Sequence, residues 1–156
     1  MEVIFSRRLT PAEQAEVARY LVSPVERAIF WDQPSADQQH GLAAARSVVA
    51  AYPDRMDMVR AALLHDIGKR HSRLGPVGRT WAVVCGAMGC PSERAVAYLD
   101  HGKLGSDELA GVDAEPLVVA YALHHHGTCP DGVSPEDWTV LQTADRAVLP
   151  SSRPVR

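Results

Sequence analysis

Apolar positions along the chain recur at intervals of three and four residues, with no sustained stretch of alternation, a pattern that predicts helices throughout. Thr10-Pro11-Ala12-Glu13 reads as a capping box with proline at the first helical position, and Val17, Tyr20 and Leu21 form the apolar face of a helix over 11–22. Pro24 opens a second, shorter helix carrying Ile29, Phe30 and Trp31. Ser35 with Gln38 predicts a cap for a third helix, which runs to about Ala51 and stops at Tyr52-Pro53. Asp54 precedes a fourth, whose Met58, Ala61, Ala62, Leu63 and Leu64 lead into His65 and Asp66, with Gly68 ending it. Lys69 to Gly78 reads as a loop. Further helices are predicted over 79–88, 92–101, 106–111 and 114–126, then a turn-rich loop over 127–133. Ser134-Pro135-Glu136-Asp137 caps a last helix with Trp138, Leu141, Asp145 and Val148 on one face, and 151–156 reads as a frayed tail. With no internal repeat, the expectation is one all-α domain over 1–156, its core spanning about 24–149.

Composition changes this picture little. The 156 residues, 46% hydrophobic and 22% charged, suffice for a real core. A net charge of -3 argues against extended nucleic acid or an anionic membrane as partner. No apolar run approaches the roughly 20 residues that span a bilayer. The charges in MEVIFSRRLTPAEQ sit in the wrong place for a secretory signal. Cys85, Cys90 and Cys129 are odd in number and form no CxxC pair, so they read as reduced thiols of a cytoplasmic protein.

The seven histidines do change it, because none lies before residue 40 or after residue 126. His40 shares a helix face with Ala44 and Val48; alone, a histidine there is more often a satisfied or solvated side chain than a ligand. His65 follows Met58 and Ala61 at helical spacing and points where the core face points. Asp66 is one step round, at a helix end where both neighbours can reach one cavity. Asp145 sits between Leu141 and Val148, where an unpaired carboxylate would cost several kcal/mol. Either a salt bridge, for example to Arg146, or a metal cation can compensate it.

His40, the His65-Asp66 pair and Asp145 resemble the H…HD…D signature of the HD-domain superfamily of metal-dependent phosphohydrolases, and "LLHDIGK" is similar to that family's most recognisable string. The resemblance spans roughly residues 24–149 and implies an all-α bundle with a metal site in its middle. "HGKLGSDEL", from His101, is similar to the HPxxGxxLL segment of the HD-GYP subgroup, and "HHHGTCPDG", from His124, to its HHExxDG segment. The departures are a third histidine where the subgroup has two, and the absence of the GYP string, of which Val133-Ser134-Pro135 keeps only the proline.

What the resemblance implies is a binuclear site with His40, His65, Asp66, His101, His125 and Asp145 as ligands. Asp66 bridges, and His126 or His124 is the alternative second histidine of the cluster. One of those three, and His71, are expected to be solvated. Two divalent cations, iron or manganese by preference and zinc or magnesium also compatible, would polarise a phosphoester and acidify water, making Asp66 part of the catalytic apparatus. Lys69, the K of "HDIGK", is the candidate to hold a substrate phosphate, and Arg73 is a second. A basic loop that includes Arg70 and Arg79 is otherwise solvated by default. The expected partner is a small phosphorylated molecule such as a nucleotide, a cyclic nucleotide or a phosphomonoester. Two alternatives share the scaffold: an HD-type diiron oxygenase cleaving a C–P or C–C bond, and a non-catalytic nucleotide-sensing module.

Overall fold

The computed structural model describes residues 7–147 and is all-helical, with no strand among the described residues. Its α-helices are α1 (Pro11–Tyr20), α2 (Pro24–Trp31), α3 (Ser35–Ala51), α4 (Met56–Leu64), α5 (Pro76–Ala87), α6 (Glu93–Leu99), α7 (His101–Gly111), α8 (Pro116–His124) and α9 (Pro135–Ala147). A 3-10 helix, Ile67–Ser72, follows α4. Val148 and the tail over 151–156 lie outside the described residues.

Helix α4 is the axis of the bundle. Every residue from Ala61 to Gly68 is buried, and α3, α8 and α9 pack around α4. Helix α7 lies against α8 and the 3-10 helix, while the α5–α6 hairpin attaches chiefly through α6 to the 3-10 helix. The core begins earlier than residue 24, because Leu9, Val17 and Leu21 join Phe30, Leu42, Met58 and Leu64 in one cluster.

The termini of α1 follow from local chemistry. Thr10 Oγ1 accepts from the Glu13 backbone, and the Glu13 carboxylate accepts from the Thr10 N–H at 2.8 Å, satisfying two orphan donors. Helix α9 starts with the Asp137 N–H donating to Ser134 Oγ at 3.4 Å. The expected Ser35 cap is absent. Pro34 is the N-cap and makes no side-chain bond, because Ser35 is already helical and Gln38 instead donates to the Trp31 and Gln33 carbonyls. Arg55, one residue after Asp54, precedes α4.

Two expectations about the middle of the chain are corrected. Residues 69–78 are mostly helical: the 3-10 helix runs through Ser72, and Pro76 begins α5, its fixed φ suiting the first helical position. The break expected between 101 and 106 lies instead at Asp100, which ends α6 and precedes α7. Gly102 and Gly105 read as loop residues but stand inside α7.

Gly68 shows what such glycines do. It does not end α4, which stops at Leu64, and its φ is not positive. A Cβ on Gly68 would lie 1.9 Å from the His101 carbonyl oxygen and 2.8 Å from the Gly105 nitrogen. The 3-10 helix and α7 therefore meet backbone to backbone, which only glycine permits. That contact sets the distance between Asp66 and His101. At Gly41, beside His40, a Cβ would meet the Leu63 carbonyl at 2.8 Å, fixing α3 against α4 in the same way.

Candidate metal centre

Helix α4 ends at Leu64, so His65 and Asp66 occupy the joint before the 3-10 helix, and both side chains turn inward, 1% and 3% exposed. His40 from α3 and Asp145 from α9 approach from one side. His101 at the start of α7, with His125 and His126 just past α8, approaches from the other. Six predicted ligands are thus brought into one place. His126 joins them, at the mouth, while His124 is exposed and does not line the cavity. The cluster therefore uses both His125 and His126.

The atoms divide about Asp66. Its Oδ2 lies 3.4 Å from His65 Nε2 and 3.8 Å from His40 Nε2, and Asp145 Oδ1 lies 2.8 and 3.3 Å from His40 and His65 Nε2. Its Oδ1 faces the other way, 3.4 Å from His125 Nε2 and 3.6 Å from His101 Nε2. Asp66, His101, His125 and His126 form one group whose ligand atoms all lie within 4.8 Å of one another, and His40, His65 and Asp66 form a second. A single carboxylate is shared by both.

Three histidines are aimed by one device. The Nδ1 of His65 meets the Ala62 carbonyl at 2.9 Å, that of His101 the Tyr98 carbonyl at 2.6 Å, and that of His125 the Ala122 carbonyl at 3.0 Å. Each carbonyl is three residues back and can only accept, so each Nδ1 carries the proton and donates. In the neutral imidazole that leaves Nε2 as a lone pair pointing inward, the arrangement that orients a metal-ligating imidazole. The Nε2 atoms of His101 and His125 stand 3.3 Å apart, and those of His101 and His126 3.2 Å apart. Between His101 and His125, both with Nδ1 protonated, facing lone pairs at that distance repel unless a proton or a cation lies between them. His65 Nε2 and Asp66 Oδ1 are fully buried and make no hydrogen bond. Unsatisfied buried groups of this kind are costly, and a mixed imidazole–carboxylate set is one that divalent transition-metal ions take.

The buried groups of the site also shift one another's charge. Burial opposes charge on His65, yet Asp66 and Asp145 outweigh it and raise its pKa to about 10. Burial pushes His101 down to about 4 and also lowers His126. Asp66 is desolvated, but His65, His125 and Lys69 hold it well below the usual carboxylate range. Asp145 is likewise lowered despite its burial, by His40 and His65.

The cavity has a volume of about 300 Å³ and is lined by His40, His65, Asp66, Lys69, His125, His126, Asp145 and Arg146. Lys69 Nζ sits 2.5 Å from Asp66 Oδ2. Arg146, on the last turn of α9, also lines the cavity. Its guanidinium reaches Gln142 at 3.5 Å, so the salt bridge entertained between it and Asp145 does not form; the Asp145 carboxylate goes to His40 and His65. Arg146 is the residue that sequence reading left without a role at the site, although its place beside Asp145 was a signal. Arg73 is not at the cavity. It adopts φ 50 as the C-cap of the 3-10 helix, is exposed, and offers its carbonyl to Arg94. The turn that stops the 3-10 helix carries its side chain outward. His71 is exposed, 3.3 Å from Glu108. Tyr121, one turn before His125, stands fully buried behind the histidines, 5.8 Å from the His65 ring centroid, with its hydroxyl unpaired.

A wider groove of about 720 Å³ between α1 and α2 has Arg27 as its one charged lining residue and gathers no acid, base or nucleophile. No helix among the described residues is long and apolar enough to cross a membrane. Compared with protein-family models, with curated proteins and with solved structures, the chain finds no match.

Proposed function

We propose that this chain is a metal-dependent phosphohydrolase of the HD type, cleaving a phosphoester of a small phosphorylated molecule at a binuclear centre. One observation carries the reading. Three imidazoles are locked by backbone carbonyls so that their free nitrogens converge on opposite oxygens of one buried carboxylate. With nitrogens facing both of its oxygens, such a carboxylate is suited to sharing between two cations.

His40, His65, Asp66 and Asp145 would hold one cation, and Asp66, His101, His125 and His126 the other. Iron or manganese suits this set best, with zinc or magnesium also compatible. Bound there, divalent cations supply Lewis acidity to a phosphoryl oxygen and lower the pKa of water toward neutrality. The rest falls to the chain. The nitrogens fixed by Ala62, Tyr98 and Ala122 need no reorganisation during reaction. Lys69 pairs with Asp66 and lines the cavity, where its ammonium would hold the substrate phosphate. Arg146 offers a second positive charge at the mouth. A cavity of about 300 Å³ accommodates a phosphoryl group with a small leaving group or one nucleoside, not an extended nucleic acid.

The test is a phosphoester panel run anaerobically with manganese-loaded protein. Turnover of a phosphomonoester or nucleotide is expected. The nitrogen-rich second group also suits iron, which keeps the oxygenase reading open. Activity only with iron, and with oxygen consumed one-for-one with product, would replace the hydrolase by that alternative.

A further inference from the structure

Helix α5 turns an apolar face to water. Val77, Trp81, Val84 and Met88, the last its C-cap, follow one another at spacings of four, three and four residues, which places them in a single stripe. They are 86%, 64%, 41% and 69% exposed. The opposite side of the helix is occupied: Ala82 is buried, and Gly86 lies against the Leu99 side chain of α6. The one charged side chain of α5, Arg79, turns away to pair with Asp37 at 2.7 and 2.5 Å and to lie over the Tyr98 ring. The stripe therefore carries no charge, and its partner needs none.

We propose that this stripe is the contact between two copies of the chain, packed α5 against α5 in antiparallel fashion about a two-fold axis. In such a contact residue i meets j while j meets i, and a 4-3-4 spacing reads the same in both directions. An axis between Trp81 and Val84 sets Trp81 against the second copy's Val84, and Met88 against the second copy's Val77. Both pairings place a large side chain opposite a small one, which fills the interface without voids or overlap.

The area agrees. The four side chains leave on the order of 500 Å² of apolar surface in water, as much as the largest patch on a typical monomer. Flanking Thr80 and Cys85 carry it toward the ~600–1,000 Å² that each partner gives to a specific interface. No residue of α5 lines the metal cavity, so pairing leaves the cavity open.

Sedimentation velocity of the full chain across the micromolar range tests this. The wild type is expected to dimerise. Trp81→Glu should raise the dissociation constant about thirtyfold or more, with helicity and metal content unchanged. Val84→Trp alone sets Trp against Trp and should weaken pairing. The swap Trp81→Val with Val84→Trp restores large against small and should recover it. A wild type that stays monomeric, a dimer that survives Trp81→Glu, or a Val84→Trp variant that pairs as tightly as the swap would overturn the proposal.

Discussion

The joint between α4 and the 3-10 helix and the outer face of α5 break the usual rule of inside and outside in opposite directions. At the joint, His65, Asp66, His101 and His125 are 5% exposed or less, deep among apolar helices. On α5, Trp81 and Met88 are 64% and 69% exposed. Both inversions cost free energy in the isolated chain, since buried polar groups without partners and large apolar groups in water are each unfavourable. On the readings proposed above, cations would meet the lone pairs and carboxylate oxygens of the first, and a second copy of the chain the uncharged stripe of the second.

The largest effect should come from Asp66, the residue that the proposed centre shares between two cations. Asp66→Ala is expected to lose both ions together and abolish turnover, measured by metal analysis on protein whose helicity is unchanged. If one ion stayed at full occupancy, Asp66 would not be a bridge, and the two groups of ligands would be independent.

Next is the lysine. Lys69→Ala should lower turnover by about 10²-fold, comparable to losing one preorganised donor. Metal content should hold or rise, because an ammonium competing for Asp66 has gone. Loss of the metals together with activity would make Lys69 structural.

Among the three adjacent histidines the effects should separate. His126→Ala should weaken the second cation about 10- to 100-fold, judged by the usual cost of disturbing a ligand set. His124→Ala, changing an exposed side chain outside the cavity, should leave metal titrations as they were. Equal effects would contradict the assignment.

The smallest effect is one of pH, in chelated protein. His65, raised to about 10, adds stability that is complete below its unfolded pKa near 6.5 and is lost as pH rises toward 10. His101, lowered to about 4, adds stability that is complete above 6.5 and is lost as pH falls toward 4. The thermal midpoint should therefore peak around pH 6 to 7 and fall on both sides. With cations bound the imidazoles are held neutral and the basic limb should flatten. A midpoint still rising at pH 9 in chelated protein would contradict the charge pairing at His65.

The sequence displayed more of the site than of the scaffold that aims it. His65, Asp66 and Asp145 were legible because chemically costly residues stood where the core face points, and His40, His101 and His125 through strings that resemble the HD-domain family. Helices with proline or capping boxes at their starts, such as α1 and α9, were legible too. Gly68, Gly102 and Gly105 misled, because a glycine that lets two backbones touch looks the same in a sequence as one that ends a helix. Pro76 was read as loop for a related reason: the same residue that breaks a helix also begins one. Which histidines past α8 enter the cavity depended on where α8 ends, and a shift of one residue there turns a side chain by 100°. Arg73, the second candidate for the phosphate, is sent out to solvent by a left-handed turn.

The most direct test is the number of metal ions per chain in protein loaded with manganese or iron and freed of loosely bound ions, read by elemental analysis and by EPR for coupling between the ions. Two ions per chain, magnetically coupled through a shared carboxylate and both lost in Asp66→Ala, is the predicted result. A single uncoupled ion, or none, in well-folded protein would contradict the binuclear centre and the phosphohydrolase reading built on it.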